Sequence, residues 1–169
     1  MQENYKSPEE ISGANRAFWE KLSPKLSASV ESAEARRVQL TKLLAEAKGL
    51  LKEGKFEEAE AIFLKVLAES KVSGTRTMRA TAACNIGWIY EQRSKLKNAL
   101  VMHLKAKCLD ALEKNEVGLL NHYYNLGKIS LDLNRSKQGF QYLTEARELA
   151  IKLQRDDLLE KIEHLLREG

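Results

Sequence analysis

Two cysteines, three histidines and a few paired carboxylates are the side chains of this 169-residue chain with the types needed for chemistry. A zinc hydrolase helix places a glutamate and a second histidine within four residues of the first, and His103, His122 and His164 have no such partner. Cys84 and Cys108 lack Cys-x-x-Cys spacing and fall inside helical patterns, so they read as buried or half-buried thiols rather than a metal or redox pair. No Gly-x-Gly-x-x-Gly or Gly-Lys-Ser run offers a phosphate cradle. Glu57-Glu58 and Asp156-Asp157 open helical segments, where acids offset the positive end of the helix dipole. These patterns predict a chain without catalysis, metal or cofactor.

The elements that position these residues are helices. Hydrophobic residues make up 43% and charged residues 31%, and both prolines lie before residue 25. That composition favours a nearly all-helical domain, long enough for one core or a short repeat array. No apolar run reaches the roughly 18 to 20 residues that span a bilayer, and the first 30 residues lack a signal-peptide core. The expected address is the cytosol.

Residues 1–28 differ from the rest and read as an arm. Ser7, Pro8 and Glu10 make a helix start, Ile11, Ala14, Phe18 and Leu22 share a face beside Trp19, and Ser23-Pro24 breaks the helix. Such an arm either caps its own domain or docks on a second copy or a partner, so a homo-oligomer is one expectation.

From residue 29 to 169 one pattern recurs. Ala83, Ile86, Gly87, Tyr90, Ala99, His103 and Ala106 are matched 40 residues earlier by Leu43, Glu46, Ala47, Leu50, Ala59, Phe63 and Val66. Forty residues later stand Tyr123, Leu126, Gly127, Ser130, Gly139, Leu143 and Ala146. The steps place small and large residues on facing sides of two antiparallel helices, so one hairpin is written three times, over about 29–72, 75–115 and 116–154. On the returning helix of the middle copy, Leu100, Leu104, Cys108 and Leu112 recur at steps of four and read as its apolar stripe. Residues 156–168, with Asp156 as cap and Leu158, Leu159, Ile162, Leu165 and Leu166 at helical spacing, read as a capping helix.

This skeleton resembles the tetratricopeptide repeat over roughly Gln39 to Gln154. The 40-residue period exceeds the common 34, no copy ends in proline, and the repeat length is similar to that of kinesin light chains and Pins-type adaptors. The resemblance implies an all-α, right-handed α-solenoid whose first helices line a concave groove that binds a partner protein or peptide segment. Carried over by position, the groove residues are Leu44 and Lys48 in the first copy, and Thr81, Cys84, Asn85, Trp88 and Gln92 in the second. The third copy supplies Asn121, Tyr124, Asn125, Lys128 and Asp132. Asn85 and Asn125 each precede an apolar-Gly pair, and an amide there either serves the backbone of an extended peptide or bonds within its own hairpin. Trp88 either anchors a ligand or packs between hairpins. Of the residues that hold a C-terminal carboxylate in the chaperone-binding members, only Asn85 is present.

The net charge of +4 is concentrated. Between Gln92 and Leu109 there is no acid, while Arg93, Lys95, Lys97, Lys105 and Lys107 form a basic tract, either a solvated face or a patch for an acidic partner. No aromatic interleaves with these cations along the sequence, which argues against nucleic acid.

Overall fold

The structure, a computed structural model, describes residues 32–71 and 75–168. It divides into two compact units, Met1–Gln39 and Leu40–Gly169, and the packing below concerns the second. The arm at 1–28 and the Ser73-Gly74 turn lie outside the described residues. Helix α1 covers 32–52. It is followed by α2 (Phe56–Glu69), α3 (Arg76–Gln92), α4 (Leu96–Leu112), α5 (Glu116–Asp132), α6 (Ser136–Lys152) and α7 (Asp156–Glu168). Among the described residues there is no strand, and no helix is long and apolar enough to cross a membrane.

The 40-residue period has a simple origin. Helices α3, α4, α5 and α6 are each 17 residues long, about 26 Å at 1.5 Å per residue, and three-residue connectors join them. Each connector ends its helix with a left-handed residue: Gly54, Ser94, Lys114, Asn134 and Gln154 have φ between 53° and 75°. The following amide then reaches back over the last turn, as in Lys95 N to Tyr90 O at 2.8 Å and Arg135 N to Ser130 O at 2.8 Å, which satisfies carbonyls a helix end would leave unpaired. Only Gly54 is a glycine, so four of these five turns put a side chain in a conformation that costs it energy.

The recurring skeleton is the packing seam. Ala83, Ile86, Gly87, Ala99, His103 and Ala106 are buried, as are Ala47, Ala59, Phe63 and Val66 before them and Leu126, Gly127, Ser130, Gly139, Leu143 and Ala146 after them. Glu46, the polar departure in the first copy, is exposed. A β-carbon on Gly87 would lie 2.9 Å from the His103 ring, so the small residue of α3 is the seat for the large residue of α4. In the third copy a β-carbon on Gly127 would lie 2.6 Å from Leu143, and one on Gly139 would lie 2.8 Å from Leu131. Each fully buried Phe63, Ile86, Leu126 or Leu143 contributes about 1.5–3 kcal/mol.

One expected stripe is corrected. On α4, Leu100 is buried and Leu104 half-buried, but Cys108 is exposed and Leu112 is 68% exposed. A step of four residues advances about 40° around a helix, so three such steps carry the last position out of the core. The buried face instead follows Ala99, Leu100, His103, Ala106, Leu109 and Asp110, a mixture of three- and four-residue steps.

Candidate functional site on the inner helices

The middle of the stack holds a buried polar network built from α3, α4 and α5. The side chain of Glu91, near the end of α3, is 7% exposed and accepts from His103 Nε2 at 2.8 Å and from Lys128 Nζ at 2.7 Å. Burial alone raises the Glu91 pKa, but hydrogen bonds from His103 and Lys128 outweigh it and hold the carboxyl below its ordinary range. Glu91 is therefore ionised and only accepts, which places the His103 proton on Nε2.

A second pair repeats the arrangement one helix further along. His122 Nε2 donates to Asp110 Oδ2 at 2.8 Å, and Asn115 Nδ2 donates to Asp110 Oδ1 at 3.0 Å. Asn115 in turn caps α5 by accepting from Gly118 N at 3.2 Å. Burial depresses the His122 pKa; the Asp110 contact opposes this and His103 adds to it, so the ring is neutral at neutral pH. The two rings stand 6.1 Å apart, and the Nδ1 atoms of both are buried without a hydrogen-bond partner. The Cys84 thiol lies beside them on α3; burial first, then Asp110 and Glu91, push its pKa up to about 11, while Lys48 pulls it the other way.

Beside this network is a cavity of about 240 Å³. Thr81, Cys84, Asn85 and Asn121, four residues of the expected groove, line it together with Asp110 and His122. Asn85 donates to its own helix, Nδ2 to Thr81 O at 2.8 Å. Asn121 and Asn125 make no side-chain hydrogen bond to another described residue, so the two equivalent asparagines differ in what they leave free.

The remaining groove positions are spread along the face. Trp88 is 39% exposed and meets Phe56 of α2 edge to face at 5.7 Å, so it both bridges hairpins and shows a surface. Tyr124 borders a second depression with His164 and Leu165 of α7. Lys48, Gln92 and Asp132 are exposed, and Leu44 is half-buried. Lys128 is engaged by Glu91.

The basic tract is divided by the fold. Arg93 is held by Glu57 at 2.7 Å and by Glu60, which ties α3 to α2. Lys107 lies over the rings of Tyr123 and Tyr142, 5.3 and 5.5 Å from their centroids. Lys95 and Lys97 remain exposed at the connector, and Lys105 is half-buried.

The sequence reading missed His103, His122, Glu91 and Asp110 as a group. Each His lies 12 residues from its carboxylate, and that shared interval across a three-residue connector was the signal available.

These hairpins have the fold of a tetratricopeptide-type right-handed α-solenoid. Among solved structures the chain is similar to the TPR domain of Arabidopsis FLU, with a TM-score of 0.62 and 17% identity, covering 70% of this chain and 98% of that one. By sequence, no protein-family model and no curated protein matches the chain.

Proposed function

We propose that the chain is a non-catalytic interaction module that binds an extended segment of a partner protein on the inner face of its first helices, as a long-repeat adaptor of the cytosol. The observation that carries this reading is the cavity between α3 and α5, lined by Thr81, Asn85 and Asn121, while Asn125, four residues beyond Asn121 on α5, leaves its amide unpaired. An amide side chain offers a donor and an acceptor together, which matches the two groups an extended peptide backbone presents. Trp88 adds an exposed aromatic anchor on the same helix as Asn85. The two cations left exposed at the connector, Lys95 and Lys97, favour a partner with acidic residues and mainly speed its approach.

A displayed library of random peptides, selected against the full chain, supplies the probe. The selected peptide is expected to bind Asn85→Ala/Asn125→Ala at least tenfold more weakly than the parent. The unfolding midpoint should move by less than the equivalent of about 1 kcal/mol, as for substitutions away from the core. Undiminished affinity in the double variant, or failure of the library to yield any peptide that competes at this face, refutes the reading.

A further inference from the structure

We propose that Cys84, His103 and His122 form a binding site for a zinc(II) ion at the junction of α3, α4 and α5. A ring nitrogen from each histidine and the Cys84 sulfur all lie within 4.8 Å of one another, the one such group among the described residues. Both imidazoles are at least nine-tenths buried, with His103 at 0% and His122 at 2% exposure.

Each ring keeps one nitrogen without a partner. In each ring Nε2 faces a carboxylate oxygen at 2.8 Å, so Nε2 carries the proton and Nδ1 presents a bare lone pair. Those two Nδ1 atoms are the buried nitrogens with no partner. A neutral imidazole that donates its other N–H to a carboxylate is the usual form of a metal-ligating histidine, since the carboxylate fixes the ring and raises its basicity. Two such rings and a thiol, arriving from three different helices, form a donor set suited to zinc and poorly suited to magnesium or calcium.

Donors bound to zinc at about 2.0–2.3 Å stand about 3.3–3.8 Å apart in a tetrahedron, so the metal would draw this group together by about 1 Å. On binding, the Cys84 sulfur gives its proton to solvent and forms the Zn–S bond, and each imidazole lends the lone pair of its unprotonated nitrogen. Three protein donors leave a fourth position, and Cys84 and His122 both border the 240 Å³ cavity through which water reaches it.

The test uses the intact chain, stripped with chelator under reducing conditions and titrated with Zn²⁺ against a chromophoric chelator, then with Co²⁺ as a spectroscopic substitute. The expected result is one Zn²⁺ per chain and a Co²⁺ complex with tetrahedral visible bands and a thiolate-to-metal charge-transfer band. The sequence has two cysteines, so retention of that band in Cys108→Ser assigns the thiolate to Cys84 without any change to the core. Cys84→Ser should lose the charge-transfer band while keeping its helical circular dichroism, and His122→Gln should weaken zinc binding at least tenfold. Absence of stoichiometric zinc binding, a band that disappears in Cys108→Ser, or competition by millimolar Mg²⁺ overturns the proposal.

Discussion

Gly118 shows how much of the polar network depends on a missing atom. A β-carbon there would lie 2.1 Å from Asp110 Oδ2, the oxygen that holds His122. Gly118→Ala must push the carboxylate away and is expected to destabilise the fold by about 1–3 kcal/mol, the usual cost of overpacking, measured as a lower urea midpoint. The buried polar network also sets a pH dependence. The Glu91 pKa is depressed in the folded state, so its stabilisation is complete above the unfolded value near 4.5 and is lost as pH falls through the folded value. His122 is depressed too, and stability therefore starts to decline as pH falls below 6.5, where the unfolded chain takes up the proton more readily. Stability against pH should fall in two acid-side steps, with Glu91→Gln shrinking the lower one, to which Asp157, held low by its hydrogen bond from Arg155, also belongs. A profile flat from neutrality to the carboxylate range would contradict both assignments. Beyond the shared 12-residue interval, none of this was legible in the sequence, because spacing rules for ligands and acid pairs describe one helix at a time. His103, Glu91, Asp110 and His122 meet only across helix interfaces. Cys84 was legible as a groove position and as a buried thiol, but not as a neighbour of two imidazoles.

At the scale of elements, the helix ends carry the repeat. The sequence period of 40 was readable from Ile86 and Leu126, but its cause, a 17-residue helix closed by a left-handed residue, is a backbone property that non-glycine residues conceal. Ser94, Lys114 and Gln154 do not look like helix terminators, whereas Gly54 does. These positions make a prediction. Glycine removes the steric cost of left-handed angles, about 1–2 kcal/mol, and returns part of it through the greater freedom of the unfolded chain. Lys114→Gly and Gln154→Gly are each expected to stabilise by about 0.5–1 kcal/mol, read as a higher denaturant midpoint at unchanged slope. Asn134→Gly, where the native residue already tolerates φ of 56°, should change little. The four-residue stripe on α4 fails for a related reason. Apolar spacing alone does not show which of two overlapping faces is buried, and His103 and Asp110, polar by type, belong to the inner one.

For the whole molecule, stacking is legible wherever a hairpin finds its neighbour by repetition, and α7 is the clearest case. Leu158 and Ile162 were expected on a closing helix by their spacing, and in the structure both are buried in one cluster with Leu120 of α5 and Leu143, Ala146 and Ala150 of α6. The helix thus occupies the place a fourth hairpin would take, and covers the apolar end that a repeat array otherwise leaves to solvent. Its removal can be estimated. Two large side chains lose their burial at about 1.5–3 kcal/mol each, so a chain ending at Gln154 should be less stable by about 3–6 kcal/mol. In a stack each hairpin touches only its neighbours, and the loss should be local. Amide exchange is expected to quicken across α5 and α6, while α2 and α3, whose cluster is built on Phe63, Val66, Ala83 and Ile86, keep their protection. A uniform rise in exchange through all the helices would instead mean that the array unfolds as one cooperative block, held together in its middle by the His103–Glu91–Lys128 contacts that link α3, α4 and α5.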